Sequence, residues 1–150
     1  MHIDNSRTFR LTFPSNCRMM IRKLLAAGKY DWVSPDLTDE HFPPKQHGTT
    51  KVHLELLTFG LDRVVSNSDA QIELRRRRIT PASIEHLLAL GATHPGEQRK
   101  YPIVALGSIA TIHDYRCVPF LAMDGSSRFA RILALEDEWS SPMHFLVIHE

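Results

Sequence analysis

The chain has little cysteine and no pattern that would give its thiols a redox or metal-binding role. Cys17 and Cys117 are the two cysteines among 150 residues, and they lie far apart in the sequence. The absence of any Cys-x-x-Cys pair excludes a thiolate zinc knuckle and a thioredoxin-type motif. The first residues contain no apolar stretch of the kind found in a secretory signal. We therefore predict a cytoplasmic protein in which both thiols are reduced.

Long hydrophobic runs and an excess of charge of one sign are also missing. No stretch approaches the roughly 18 apolar residues of a transmembrane helix, so we expect no membrane partner. The 18 basic and 17 acidic residues leave a net charge of +1 with neutral histidines. A domain dedicated to nucleic acid is usually strongly basic. The charge balance therefore favours a protein over a nucleic acid as the macromolecular partner.

Common catalytic and cofactor motifs are absent too. There is no GxGxxG or GxxxxGKS/T loop for a nucleotide, no HExxH for zinc, and no GxSxG around Ser108 for a hydrolase nucleophile. His53-Leu54-Glu55 has the His-x-Glu spacing of zinc deaminases, whose metal site also needs a Pro-Cys-x-x-Cys segment that this chain lacks. We accordingly expect no cofactor and no metal.

The composition that is present is that of an ordinary globular protein. Apolar residues make up 43% of the chain and charged residues 23%, which are typical globular values. A chain of this length can bury about 70% of its unfolded surface and needs no disulfide to fold. We expect one globular domain over residues 1–150.

Helices are predicted mainly in the N-terminal half. After a short strand at residues 8–13, the first helix has an apolar stripe formed by Cys17, Met20, Ile21, Leu24 and Leu25. Ser15 or Asn16 is predicted to cap the start of this helix, and Gly28 to take the left-handed position at its end.

The middle of the chain contains a proline-rich loop, a strand and two further helices. The loop spans residues 30–50 and is expected to be held by its aromatic residues Tyr30, Trp32 and Phe42. Residues 51–59 alternate as a half-buried strand. One helix is predicted for residues 69–77. The next helix has an apolar stripe of Ile84, Leu87 and Leu88. Thr80 is predicted to cap this helix, Pro81 to take its first helical position and Gly91 to end it.

The C-terminal half is expected to form a small, mostly antiparallel sheet. Strands are predicted at residues 103–106, 116–123, 128–135 and 143–149. The Asp124-Gly125 turn between two of these runs is a strong hairpin signal. Pro119 cannot donate to a ladder, which favours an edge or a bulge for its strand. The predicted fold class is therefore α+β.

The most conspicuous candidate site is the arginine tetrad, which consists of Arg75, Arg76, Arg77 and Arg78. A basic cluster of this kind can neutralise phosphates. On a helix, however, four consecutive residues surround the axis and form no stripe. A solvated helix end, where cations complement the macrodipole, is the favoured interpretation. Binding of an anionic partner is the alternative.

A second candidate combines His113, Asp114 and Cys117, whose side chains could form a thiolate-imidazole-carboxylate triad. A structural role for Cys117 is favoured. Nine histidines are present, but their spacing matches no metal motif, and scattered surface histidines are the favoured interpretation. The acidic trio at residues 136–138 is expected to lie in a solvated turn.

Five segments give the chain a resemblance to a family of small bacterial proteins without an established activity. The segments are residues 28–33 (GKYDWV), 79–82 (ITPA), 87–91 (LLALG), 101–108 (YPIVALGS) and 145–148 (FLVI). Most of these residues are apolar or turn-forming. The resemblance therefore implies a shared fold and transfers no catalytic residue.

These observations favour a non-enzymatic binding module that acts on another macromolecule, comparable to the small inhibitors that phages and mobile elements encode. One alternative is a small hydrolase or metal-dependent enzyme that uses His113, Asp114 and Cys117. The other alternative is nucleic-acid binding through the arginine tetrad.

Overall fold

The fold is built on one mixed β-sheet with helices on both faces. The computed structural model describes residues 4–12, 19–45, 51–59, 66–137 and 143–148. Within these ranges the strands are β1 (Asp4–Thr12), β2 (Trp32–Val33), β3 (Lys51–Thr58), β4 (Ile103–Val104), β5 (Ala110–Ile112), β6 (Tyr115–Asp124), β7 (Ser127–Ala134) and β8 (His144–Ile148). The helices are α1 (Met20–Gly28), α2 (Asn67–Arg76), α3 (Ile84–Thr93) and α4 (Glu97–Lys100).

The strand order is β1-β3-β8-β4-β6-β7-β2, and β5 pairs with β6 beside this path. The pairs β2–β7 and β4–β8 are parallel, whereas the other paired strands are antiparallel. The alternating strand β3 pairs with β1 on one side and with the last strand, β8, on the other. N-terminal and C-terminal strands are thus interleaved in the sheet.

The α+β class is confirmed, and the helices of the described ranges all end by Lys100. The prediction of a small, mostly antiparallel sheet in the C-terminal half was wrong. The sheet has eight strands, is mixed, and includes β1, β2 and β3 from the N-terminal half. The physical reason is that strands pair so as to bury their apolar faces against segments far away in the sequence. A local sequence pattern does not specify those partners.

Alternating strand residues give the sheet two apolar faces. Leu54, Ile103 and Leu146 point to one face, where they join Ile21 of α1 and the buried side chains of α3. Leu57, Val104 and Phe145 point to the other, with Ala70 and Leu74 of α2. Helix α3 is buried on every side from Ile84 to Gly91. None of the helices in the described ranges is both long and apolar enough to cross a membrane.

The predicted N-terminal elements are largely present. Strand β1 is longer than expected, and Met20 and Ile21 of the predicted stripe are buried in α1. The predicted caps Ser15 and Asn16, together with Cys17, lie outside the described residues. Of the three aromatic residues expected to hold the loop, Phe42 is buried and Tyr30 half-buried. Trp32 is 48% exposed and lies under the guanidinium of Arg131, 4.7 Å from it.

Two local predictions for proline were wrong. Helix α3 begins at Ile84 with Ser83 as cap, because Pro81 is drawn into a bridge with Val147 of β8. Pro119 lies inside the sheet, between β4 and β7. Its carbonyl accepts from the Ala105 N–H just beyond β4. In an antiparallel strand, the nitrogen and the carbonyl of one residue face the same neighbouring strand. The Pro119 nitrogen, which has no hydrogen to donate, therefore faces the segment between β4 and β5.

A buried guanidinium links the helices to the hairpin of β6 and β7. Arg128 Nη1 donates to the Gly28 carbonyl at the end of α1 (2.7 Å). Its Nη2 donates to the Gly91 carbonyl in the last turn of α3 (3.0 Å) and to Gln98 Oε1 of α4 (2.9 Å). These carbonyls are among the acceptors that helix ends leave without an intrahelical partner. The guanidinium therefore caps two helices at once.

Tyr30 explains the two glycines beside this cation. The Arg128 guanidinium lies 4.8 Å from the centre of the Tyr30 ring. A Cβ at Gly28 would lie 2.3 Å from Tyr30 Cε2, and a Cβ at Gly91 would lie 1.9 Å from the Tyr30 hydroxyl oxygen. Glycine is required at both positions by this close approach. Gly28 is the last residue of α1, and Lys29 takes the left-handed position with φ 51°.

We predict that Arg128→Lys lowers the free energy of unfolding by about 2–4 kcal/mol, because an ammonium group cannot span acceptors on three helices and leaves some of them buried without a donor. Chemical denaturation measures this change. The matched control is Arg99→Lys, which alters an exposed residue of α4 and should shift the stability by less than about 0.5 kcal/mol. Equal effects of the two substitutions would contradict the capping role.

Candidate binding groove

The structure does not assemble the predicted thiol triad. His113 and Asp114 form the two-residue turn between β5 and β6, with φ values of 51° and 70°, and both are exposed. Cys117 is buried, and its thiol donates to the Tyr115 carbonyl over 3.5 Å. In the described part of the chain, no hydrogen bond joins Cys117 to His113 or Asp114. Burial, with Asp137 and Asp36 contributing, raises the pKa of the Cys117 thiol, which lowers its reactivity.

The acidic turn has a structural role in the described residues. Glu136 Oε1 accepts from the Ser68 hydroxyl (2.9 Å), and Asp137 Oδ2 accepts from the Ala134 N–H (3.2 Å). Glu138 lies outside the described ranges. Across those ranges, no three His, Cys, Asp or Glu side chains are grouped closely enough to hold a metal ion.

A buried serine-histidine pair, which sequence reasoning missed, serves the start of α3. His86 Nδ1 accepts from the Ser83 N–H (3.0 Å), and the Ser83 side chain accepts from the backbone of His86. This is a capping box in which histidine replaces the usual Glu or Gln at the third helical position. Because Nδ1 accepts a hydrogen bond from the Ser83 backbone N–H, this nitrogen carries no proton. The Ser83-x-x-His86 spacing is the signal that could have predicted it.

His144 is a second buried histidine. Its ring stacks on Tyr101 at 3.6 Å between centroids, and Tyr101 in turn donates to Glu97 Oε2 over 2.6 Å. His144 Nδ1 is buried and has no hydrogen-bond partner in the described part of the structure. Burial lowers the pKa of His144, although the nearby Glu97 carboxylate partly opposes this shift.

The arginine tetrad is divided into two pairs by Glu73. Arg76 Nη1 lies 3.1 Å from Glu73 Oε2, and Arg77 Nε lies 2.8 Å from Glu73 Oε1. The hydrogen bond from Arg77, with the charges of both arginines, holds the pKa of Glu73 below its ordinary value. Arg75 and Arg78 have no acidic partner among the residues that the structure describes. Their positive charges are therefore the ones left to attract an anion.

Arg75 and Arg78 line a groove of about 400 Å³, together with Gln71, Ile79, Thr80 and Pro81. Gln71 and Arg75 are four residues apart on α2 and so lie on one face of the helix. We call this site the arginine groove. No acidic side chain belongs to its lining.

The turn that ends α2 positions Arg78. The Arg78 N–H donates to the Arg75 carbonyl (3.1 Å) and the Ile79 N–H donates to the Leu74 carbonyl (2.9 Å). This is a Schellman motif, whose left-handed position is usually glycine. Arg78 occupies it with φ 58°. A non-glycine residue in this conformation costs about 1 kcal/mol, and Lys29 takes the same conformation at the end of α1.

Strand β8 fixes the other wall of the arginine groove. The Thr80 carbonyl accepts from the Ile148 N–H, and the Ala82 N–H donates to the Leu146 carbonyl, both over 2.9 Å. Residues 79–82 are thereby held like an additional short strand beside β8. One wall of the groove is thus formed by backbone that is hydrogen-bonded to the sheet.

Comparison with protein-family models, with curated proteins and with solved structures finds no match to this chain. The chemistry of the arginine groove is therefore inferred from its own residues.

We predict that the protein loses stability as the pH falls below about 6.5, the ordinary pKa of histidine. The folded-state pKa of His144 is lowered, so the unfolded chain binds the proton first and acid favours unfolding. Above that pH both states are neutral at His144 and the contribution is constant. His144→Phe keeps a ring against Tyr101 and cannot titrate. Its free energy of unfolding should therefore fall less than that of the wild type between about pH 7.5 and about pH 5. An unchanged pH slope would contradict this assignment. His86, whose pKa burial also lowers, retains part of the slope.

We also predict that Arg78→Gly raises the free energy of unfolding by about 1 kcal/mol, because glycine adopts the left-handed conformation without steric cost. Urea denaturation measures the change. Arg75→Gly in the last turns of the same helix removes the same side chain from a helical position, and should destabilise by about 1 kcal/mol. Destabilisation by Arg78→Gly would show that the side chain of Arg78 supports the fold.

Proposed function

We propose that the chain is a non-enzymatic binding module that holds an anionic group of another macromolecule in the arginine groove. The observation that carries this proposal is the pair of exposed guanidinium groups, Arg75 and Arg78, that face a concave surface and have no carboxylate partner in the described residues. Thr80 and Gln71 belong to the same lining, and their side chains carry neutral donors, a hydroxyl and an amide. Guanidinium groups are planar donors suited to phosphate and carboxylate oxygens.

A solvated helix end explains less of this arrangement. Cations at the C-terminus of α2 do complement its macrodipole. That role is available to both Arg75 and Arg76, which lie in the last turn of α2. It does not account for the concave surface that Arg75 and Arg78 line together. An anion in the groove would use both guanidinium groups.

The enzymatic alternative has weaker support. The thiol of Cys117 is buried with a raised pKa. The Ser83 hydroxyl lies 2.9 Å from His86 Nδ1, but both side chains are buried and are engaged in capping α3.

The proposal is tested by the salt concentration at which the protein elutes from immobilised heparin, a sulfated polyanion. Arg75→Gln/Arg78→Gln should elute at lower salt than wild type and flatten the dependence of log affinity on log salt by about 1–2, because fewer counterions are released. Arg76→Gln/Arg77→Gln removes the same formal charge but leaves the groove arginines in place, and should have a smaller effect.

A second control is needed because substitution of Arg76 and Arg77 also leaves the Glu73 carboxylate without its two ion-pair partners. Arg22→Gln/Lys23→Gln removes two exposed cations from α1 and leaves the tetrad intact. Thermal unfolding confirms that each variant is folded. If all three double variants elute at the same salt, retention reflects net charge alone and the proposal fails.

A further inference from the structure

One large apolar side chain is exposed beside the arginine groove. Ile72 of α2 is 55% exposed, among the most exposed large hydrophobic residues in the described ranges. It precedes Arg75 by three positions, so the two side chains are neighbours on the helix surface. Ile79 and Pro81 contribute apolar surface inside the groove itself. Two guanidinium groups thus have aliphatic side chains beside them, and protein interfaces combine arginine with apolar surface.

The size and charge of the groove fit one compact anion better than a nucleic-acid strand. Nucleic-acid binders commonly neutralise about 6–10 phosphates along a basic surface, whereas two groove arginines lack an acidic partner in the described part of the chain. Bases of single strands stack on aromatic rings. The groove is lined by no aromatic residue, and the net charge of the chain is +1.

The donor set favours a phosphate monoester over a carboxylate. A phosphorylated side chain carries a charge of about −1.5 to −2 and three terminal oxygens. Two guanidinium forks, a hydroxyl and an amide can donate to several oxygens of a tetrahedral group from different sides. A carboxylate has a single charge and is satisfied by one arginine fork, which would leave the second cation without a partner.

We infer that the arginine groove binds a phosphorylated side chain of a protein partner, with Arg75 and Arg78 on the phosphate and Ile72 against an apolar residue beside it. This inference rests on the proposed function and names the partner chemistry of the same site. Arginine clusters are a recurring means of recognising phosphorylated peptides.

The test uses a peptide pool in which one phosphothreonine is fixed and the flanking positions are randomised, with an unphosphorylated pool as control. Immobilised wild-type protein should retain the phosphorylated pool about tenfold more strongly, the factor expected from one or two charge-assisted hydrogen bonds. The retained peptides should be enriched in apolar residues at one flank. Arg75→Ala/Arg78→Ala should abolish retention, whereas Arg75→Lys/Arg78→Lys, which keeps the charges without the forks, should reduce it.

Ile72→Ser separates a peptide from a free phosphate. It should remove the apolar enrichment and leave the affinity for phenyl phosphate, followed by NMR titration, unchanged. Equal weakening of both probes, or equal retention of the two pools by wild type, would overturn the inference.

A single-stranded oligonucleotide distinguishes this failure from that of the proposed function. If the oligonucleotide binds through Arg75 and Arg78 while the two peptide pools are retained equally, the partner is nucleic acid. The proposed function then stands and the phosphopeptide inference falls. If substitution of Arg75 and Arg78 leaves the binding of heparin, oligonucleotide and peptide unchanged, the proposed function and the phosphopeptide inference are both wrong.

Discussion

The buried guanidinium of Arg128 is the interaction on which the packing of the helices depends. A buried cation without a carboxylate partner is costly to desolvate, and none pairs with Arg128 in the residues described. The cost is offset by carbonyls at the C-terminal ends of α1 and α3, where the helix dipoles place negative potential. The face of the Tyr30 ring adds a cation–π contact.

Several other features follow from the position of this group. Gln98 accepts from Arg128 and donates to the carbonyls of Ala122 and Phe129, which secures α4 to the β6–β7 hairpin. Asp31 binds the Arg128 backbone on the other side, through its own N–H and its carboxylate. Burial raises the pKa of the Tyr30 hydroxyl above its ordinary value. The side chain that lies between Gly28 and Gly91 therefore stays uncharged.

Local patterns predicted the elements better than their partners. Alternation located β3, β6 and β7, and Gly125 with φ 61° forms the predicted hairpin turn. The same patterns could not show that β3 lies beside β8, because pairing depends on residues far apart in the chain. Arg128 follows a hairpin turn, where an exposed arginine is the ordinary expectation. Its burial arises from two helix ends that meet only in the folded protein.

The candidate site was predicted in part. The four arginines were recognisable, and the Glu73 spacings to Arg76 and Arg77 are the three and four that allow ion pairs on a helix. The sequence could therefore have separated this pair from Arg75 and Arg78. It could not have shown the groove, because one wall is residues 79–81 held against β8, a contact between segments about seventy positions apart.

The central place of β8 has a consequence for how the chain reaches its native state. While residues 1–143 are being synthesised, β1 and β3 can form one ribbon and β4, β6 and β7 another, but each retains an open edge where β8 will insert. Unpaired apolar edges of this kind are the usual starting points of aggregation. The two ribbons join only when residues 144–148 arrive, which makes completion of the sheet a late, high-contact-order event. Residues 79–82, which form one wall of the arginine groove, find their partner at the same moment, so the groove is completed together with the sheet.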